Sequence, residues 1–150
     1  LTDDALIGFN ALAYVLPPLR SNTDKKALQE GLQDGTIDAI CSHHEPLAKT
    51  AKQAPFAECK PGISNFDTFM GLACQLVKEG ILTPTQLVEK IALNPAKIAG
   101  IEASYHQTGG AVLVDPSLTW TVTKESMMSQ GKNTPFINSE LTGKVEQVYF

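Results

Sequence analysis

The chain has 150 residues, with 16 acidic and 12 basic side chains, which gives a formal net charge of −4. This acidic balance argues against nucleic-acid binding as a primary role, because such binding needs clustered positive charge facing the phosphates. No apolar run approaches the roughly 20 residues of a membrane span, and the opening LTDDALIGF lacks a basic segment leading into an apolar one, so the sequence favours a cytoplasmic protein.

The first element with a clear pattern is a helix from about Thr23 to Gln33. Before it, Pro17-Pro18 forces extended backbone and ends any earlier helix. Residues 1–22 are therefore either a plain connector or a loop that lies over a pocket. Gly35 is expected to end the helix. The spacing of apolar residues within the helix predicts an inward apolar face. That face consists of Ala27, Leu28 and Leu32.

A short apolar strand is predicted from Thr36 to Ser42, directly after the helix. A nearly unbroken apolar run is typical of a parallel strand that is covered on both faces. His43 and His44 follow its carboxyl end, where barrel enzymes and open α/β enzymes keep their catalytic and binding groups. Neighbouring residues on extended backbone point to opposite sides, so we do not expect the two histidines to grip one metal ion.

The remainder of the chain predicts a long loop, then helices, then strands. The loop covers residues 45–64 and is long enough to suggest a functional or mobile segment. Helices are predicted from about Asn65 to Glu79, from Thr83-Pro84 onward, and as one short turn from Asn94-Pro95 to Gly100. Strands are predicted at Ala111–Val114, Leu118–Val122 and Lys144–Phe150, with a short helix at Lys124–Ser129.

The three cysteines of the chain are Cys41, Cys59 and Cys74. Their odd number and the lack of C-x-x-C spacing indicate neither a disulfide framework nor a zinc knuckle. We expect buried or half-buried thiols, with Cys41 in the core as part of the predicted strand. The sequence also contains no Gly-rich phosphate loop, no G-x-S-x-G elbow and no internal repeat.

Several longer motifs run through the chain in a fixed order. They are PPLR at 17–20, DGTIDAICSHHEP at 34–46, PF at 55–56, PGISNFDT at 61–68, NPAKIAG at 94–100, VLVDP at 112–116 and GKNTPF at 131–136. Together they closely resemble the dihydroorotases, cyclic amidohydrolases of pyrimidine synthesis. The resemblance implies an α/β fold: the C-terminal portion of an amidohydrolase (β/α)₈ TIM barrel over residues 1–108, and strands of a small accessory β domain over residues 109–150. A complete barrel needs about 250 residues.

The same resemblance implies that the catalytic site has degenerated. The family pattern TDHAPH aligns with residues 42–47, so the catalytic aspartate has become His43 and a histidine that touches substrate has become Leu47. Losing one well-placed acid/base group typically costs on the order of 10²- to 10⁴-fold in rate. The pocket positions implied by the resemblance are Leu16, where the family has asparagine, and His44, Leu47, Pro61 and Gly62. Gly62 either presents backbone to substrate or merely permits a tight turn.

Cofactor and partners follow from the resemblance as well. The family uses zinc, and the zinc ligands are expected ahead of Leu1, in a missing N-terminal part of the same protein, so no metal site is expected in this chain. The main hypothesis is a non-catalytic structural partner of aspartate carbamoyltransferase in de novo pyrimidine biosynthesis. The alternative is an active zinc dihydroorotase that interconverts carbamoyl aspartate and dihydroorotate, with His43 as proton shuttle. A third option is an α/β domain with an unrelated binding role. We expect neither nucleic acid nor membrane as a partner.

Overall fold

The computed structural model describes residues 1–101 and 110–149. Within these ranges the helices are α1 Asn22–Asp34, α2 Phe66–Lys78, α3 Pro84–Val88 and α4 Asn94–Ala99, and the strands are β1 Ala111–Thr121 and β2 Glu140–Tyr149. A π-helical turn at Glu89–Leu93 joins α3 to α4, and short 3₁₀ turns occur at Asp3–Leu6, Ala11–Ala13, Lys49–Lys52 and Phe56–Glu58. None of the helices in the described ranges is long and apolar enough to cross a membrane.

The residues group into two compact units. Unit 1 comprises Leu1–Leu28, Ser42–Phe69 and Thr121–Glu140, and unit 2 comprises Gln29–Cys41, Met70–Trp120 and Leu141–Phe150. This grouping follows spatial proximity and does not test the predicted division into residues 1–108 and 109–150, which stays a prediction.

The helices form where the sequence predicts them, because their ends carry local signals. At the start of α3, Thr83 Oγ1 accepts a hydrogen bond from the Gln86 amide at 3.2 Å, and Gln86 Oε1 accepts one from the Thr83 amide at 2.9 Å. This reciprocal capping box and Pro84 in the first turn fix the beginning of the helix. Gly100 ends α4 with a φ of 68°, a left-handed conformation that glycine adopts without steric cost.

The predicted inward face of α1 is wrong for two of its three residues. Ala27 is exposed and Leu28 is 56% exposed, whereas Leu32 packs against the core of unit 2. The buried position of α1 is Gly31, whose carbonyl accepts a hydrogen bond from the Ile37 amide at 2.8 Å. The chain thus returns close to the helix at a glycine, which a search for large apolar side chains does not detect.

The predicted strand from Thr36 to Ser42 does not form a regular strand, and only an isolated parallel bridge between His44 and Ile63 follows it. Among the described residues no strand pairs with residues 36–42. A parallel strand forms only where neighbouring strands supply a ladder of hydrogen bonds, so this segment stays irregular. Cys41 is accordingly exposed instead of lying in the core, whereas Cys59 is buried as expected.

The segment before the two histidines is held by the turn between α3 and α4. The Ile40 amide donates to the Lys90 carbonyl at 2.9 Å, and Lys90 Nζ donates to the Ile37 carbonyl. Lys90 is only 7% exposed. Unit 2 packs around the buried Ala73, Leu82 and Leu87, with half-buried neighbours Leu32, Ile40, Leu76, Val77, Ile81 and Ile91.

The strands are longer than predicted. β1 continues through Asp115-Pro116, where the sequence predicted a stop, because a strand in a two-stranded sheet can place the missing amide of proline on its unpaired side. The predicted helix at Lys124–Ser129 is wrong: a turn forms there, closed by reciprocal bonds between Thr123 and Ser126. The last predicted strand lies within β2, and its end at Phe150 lies outside the described residues.

Candidate functional site

Three segments of unit 1 meet where the sequence places the candidate pocket, and we name their meeting point the loop junction. They are residues 42–47, 61–65 and 131–134. The Glu45 amide donates to the Ile63 carbonyl at 2.9 Å, which joins the first two segments. The Ser64 amide donates to the Asn133 carbonyl at 2.9 Å, which joins the second and third. Five of the six candidate positions lie in these segments, namely His43, His44, Leu47, Pro61 and Gly62.

The Asn133 side chain bonds the three segments to one another. Its Oδ1 accepts from the Leu47 amide at 2.7 Å, and its Nδ2 donates to the carbonyls of Glu45 at 2.9 Å and Gly62 at 3.1 Å. The side chain is 4% exposed, so these bonds form away from water. They use the amide oxygen and both amide hydrogens, which also fixes the orientation of the side-chain amide.

Two glycines allow the backbones at the junction to approach closely. A Cβ atom on Gly131 would lie 2.5 Å from the Leu47 nitrogen and 2.8 Å from Pro46 Cα. A Cβ atom on Gly62 would lie 2.9 Å from Glu45 Cβ, and Gly62 has a φ of 127°. Both positions therefore need glycine for structural reasons. The further role of Pro61-Gly62 in presenting backbone to substrate stays a prediction.

His44 caps helix α2. Its Nδ1 accepts hydrogen bonds from the amides of Asn65 at 3.1 Å and Phe66 at 3.0 Å, and Asn65 Nδ2 donates back to the Ser42 carbonyl at 3.0 Å. An imidazole nitrogen that accepts two amides carries no proton, so in the neutral ring the proton lies on Nε2. His44 Nδ1 is thus committed to the start of α2, and its predicted role as a pocket position would use the other nitrogen.

His43 has a different environment from its neighbour. Its φ of 44° is left-handed, so the backbone is not extended there as the sequence argument assumed. The side chain is 56% exposed, and its Nε2 lies 3.8 Å from Glu45 Oε1. This contact is an ion pair only when the imidazole carries a proton, and at such exposure it contributes little stability.

The N-terminal segment is attached to the junction through Tyr14. The Tyr14 carbonyl accepts hydrogen bonds from the Gly62 amide at 2.9 Å and from Lys52 Nζ at 3.1 Å. Burial lowers the pKa of the Lys52 ammonium below its usual value, and the Tyr14 ring packs on Phe56 with centroids 5.0 Å apart. Leu16, two residues further on, is 52% exposed.

Asp67, in the first turn of α2, binds the segment that leads to Asn133. Its Oδ1 accepts from the Met128 amide at 2.6 Å, and its Oδ2 accepts from the Ser129 amide at 3.4 Å and from the Ser129 hydroxyl. Burial by itself would raise the pKa of Asp67, but the bonds from Ser129 and Met128 together hold it below its ordinary value. The carboxylate is therefore the form that the contact requires.

Sequence reasoning missed the residues that build the junction. Asn133 and Gly131 lie in the GKNTPF motif, and Asp67 lies in the PGISNFDT motif, but none of these three residues was assigned a role from the sequence. Glycine and asparagine are each turn signals by local rules, so Gly131 and Asn133 could have indicated a turn. Its partners 86 residues away cannot be inferred from local sequence.

At the candidate site the His43 imidazole and the Glu45 carboxylate are two neighbouring groups that could each ligate a metal ion. No group of three or more His, Cys, Asp or Glu side chains that could hold a metal ion occurs in residues 1–101 and 110–149. The remaining histidine, His106, lies outside the described ranges. Because structural zinc takes four ligands and catalytic zinc usually three from protein, the described residues do not fit a zinc site by themselves.

Comparison with known proteins gives a consistent result. No protein-family model matches the chain. A dihydroorotase of Syntrophus aciditrophicus is 44% identical over 148 residues, which are 97% of this chain and 35% of that protein. A dihydroorotase-like protein of Pseudomonas aeruginosa is 41% identical over 148 residues, again 97% and 35%. Over nearly its whole length the chain is similar to one part of these dihydroorotase-like proteins. It spans about a third of the length of these relatives, which supports the prediction that it corresponds to their C-terminal part.

Solved structures show the fold of this dihydroorotase-like chain. L-hydantoinase from Arthrobacter aurescens matches with a TM-score of 0.86 and 23% identity, covering 99% of this chain and 35% of that one. Dihydroorotase from Saccharomyces cerevisiae matches with a TM-score of 0.79 and 17% identity, covering 97% and 40%. These proteins are TIM-barrel amidohydrolases. The predicted fold, part of an amidohydrolase barrel with accessory strands, is confirmed.

Proposed function

We propose that the chain belongs to a cytoplasmic dihydroorotase-like protein of de novo pyrimidine biosynthesis that has lost catalysis and acts as a structural partner of aspartate carbamoyltransferase. One observation supports the loss of catalysis more than any other. His43 stands where the family resemblance puts the catalytic aspartate, and its Nε2 faces the Glu45 carboxylate at 3.8 Å. Opening a cyclic amide needs a group that takes a proton from water and returns it to nitrogen, and the family assigns that work to a carboxylate at this position.

Leu47 also supports the loss of catalysis. By the resemblance it replaces a histidine that touches substrate, and an isobutyl side chain cannot hydrogen-bond a carboxylate or a ureide. Its backbone is held in place by the bond to Asn133 at 2.7 Å. The junction thus keeps a defined backbone shape while two of its polar side chains are changed, as expected for a protein selected for its surface and not for turnover.

The rival function is an active zinc dihydroorotase, and the His43–Glu45 pair is the observation that favours it. A histidine can move protons near neutral pH, and a nearby carboxylate can orient it. Amidohydrolases are generally metal-dependent. In this case further ligands from outside residues 1–150 would have to supply the metal site, because the described residues do not form one.

Turnover by the full-length parent protein distinguishes the two functions. We expect the zinc-supplemented parent to hydrolyse dihydroorotate no faster than buffer, and His43→Ala to change nothing. The dihydroorotase of Syntrophus aciditrophicus, 44% identical to this chain, is the positive control for the assay. Measurable hydrolysis that His43→Ala abolishes would overturn the proposal in favour of the rival.

The partner is tested separately. The tagged full-length parent, incubated with purified aspartate carbamoyltransferase at low salt, is expected to retain it on the affinity resin, because interfacial charges bind most strongly when they are not screened. The control is the tagged Syntrophus relative with the same transcarbamoylase. Failure to retain the transcarbamoylase at low salt would remove the scaffold role, whatever the outcome of the activity assay.

A further inference from the structure

The segment from Met127 to Thr134, which we name the strap, is bonded at both ends to other parts of unit 1. At one end Asp67 accepts hydrogen bonds from Met128 and Ser129. At the other end Asn133 bonds to the carbonyls and amide of the loop junction. We propose that Asp67 is a positioning residue for the loop junction, acting through the strap on Asn133.

The strap is short and internally bonded, so its two ends are not independent. Ser129 and Asn133 are four residues apart, and four residues span at most about 14 Å when fully extended. Lys132 Nζ donates to the Met127 carbonyl at 2.6 Å, and the Thr134 amide donates to the Lys132 carbonyl at 3.0 Å. Loss of the bonds to Asp67 at one end of the strap therefore changes how Asn133 is held at the other end.

The middle of the strap contacts the junction directly. Gly131 approaches the Pro46–Leu47 backbone so closely that a Cβ atom on it would lie 2.5 Å from the Leu47 nitrogen. A packed contact of this kind transmits small displacements, because well-packed protein has little free volume to absorb them. Movement of the strap away from Asp67 thus separates Asn133 Oδ1 from the Leu47 amide.

The Leu47 amide is the readout that this chain of contacts provides. It donates to Asn133 Oδ1 at 2.7 Å, so its hydrogen exchange reports the position of Asn133. The inference goes beyond the proposed function, since it concerns how the junction is held whether the protein turns over substrate or binds a partner. Its test therefore needs no activity assay.

The experiment measures amide hydrogen exchange in the full chain with Asp67→Asn. We expect protection of the Leu47 amide to fall roughly tenfold or more, because a charged acceptor of several hydrogen bonds is lost. The matched control is Asp24→Asn, which removes a carboxylate that accepts from the Ser21 amide at 3.1 Å elsewhere in the same unit. That variant should leave Leu47 protection unchanged.

A purely structural role for Asp67 predicts a different pattern. General destabilisation would lower the protection of the Leu87 amide in α3, which donates to the Thr83 carbonyl at 2.9 Å, together with that of Leu47. Positioning through the strap lowers Leu47 and spares Leu87. Should Asp67→Asn unfold the chain, Ser129→Ala removes part of the same contact and is expected to act more weakly in the same direction. Faster exchange at Met128 and Ser129 with Leu47 within twofold of wild type would overturn the proposal.

Discussion

At the scale of single residues, the loop junction depends on small side chains as much as on polar ones. Asn133 supplies two donors and one acceptor to three backbone groups in two segments. No other residue type has that set of groups at that length, because aspartate lacks the donors and leucine lacks all of them. Gly131 contributes by having no side chain, which lets its backbone lie against Leu47.

A matched pair of glycine substitutions tests the close approach. Gly131→Ala would place a Cβ atom 2.5 Å from the Leu47 nitrogen, which is backbone and cannot move aside, so we expect a loss of about 3 kcal/mol in the free energy of unfolding. Gly80→Ala is the control: it has a φ of 70° with nothing within 4 Å of the added atom, and left-handed strain alone costs about 1–2 kcal/mol. Urea unfolding of both variants gives the comparison, and equal losses would contradict the packing argument.

At the scale of elements, helix α2 is organised by contacts from outside itself. His44 Nδ1 accepts from the Phe66 amide, the first of the helix, and from the Asn65 amide just before it, and Asp67 in the first turn binds the strap. The first four amides of any helix have no partner within the helix, so a side chain that accepts from the first of them and from the amide just before it fixes where the helix begins. His44 belongs to the loop junction and lies more than 20 residues before these amides in the sequence. Its hydrogen bonds therefore attach the start of α2 to the junction.

Removing this cap should weaken the start of α2. We expect His44→Ala to lower the free energy of unfolding by about 1–2 kcal/mol, the usual cost of losing a helix cap, and to speed hydrogen exchange at the Asn65 and Phe66 amides. His43→Ala is the control, because its side chain is 56% exposed and its 3.8 Å contact with the Glu45 carboxylate contributes little stability at such exposure. The interpretation of His44 as a cap is wrong if both variants lose the same stability.

At the scale of the whole molecule, the chain has much apolar surface and little sheet. The described residues contain one two-stranded sheet, and isolated two-stranded sheets are marginally stable in water. Large apolar side chains on these strands are exposed: Val112, Leu113, Leu118, Val145, Val148 and Tyr149. Unpaired strand edges with exposed apolar side chains favour pairing with another chain.

We therefore expect the isolated 150-residue chain to self-associate. Sedimentation velocity at micromolar concentration should show species larger than the 16.1 kDa of one chain. Val112→Lys together with Leu113→Lys should shift the distribution toward the monomer, since lysine on an edge strand opposes pairing. A single monomeric species for the unmodified chain would contradict this expectation.

The sequence by itself located the four α-helices and indicated the resemblance to dihydroorotases. Caps such as Thr83 and stops such as Gly100 act within a few residues, so local pattern is sufficient to locate them. The ordered motifs predicted a dihydroorotase-like chain, which the 44% identity to a dihydroorotase supports. The loss of catalysis and the transcarbamoylase partner stay predictions.

Only the tertiary structure decided the rest. The segment before His43 is apolar like a barrel strand, but a strand needs neighbouring strands to pair with, and no local pattern states whether they are present. β1 passes through Pro116, and in residues 1–101 and 110–149 its sheet has two strands, each with an unpaired edge at which proline is tolerated. The bond from Leu47 to Asn133 joins residues 86 apart, and Asp67 meets Met128 across 61 residues. Contacts at such separations arise from the path of the folded chain, so local sequence patterns do not predict the loop junction.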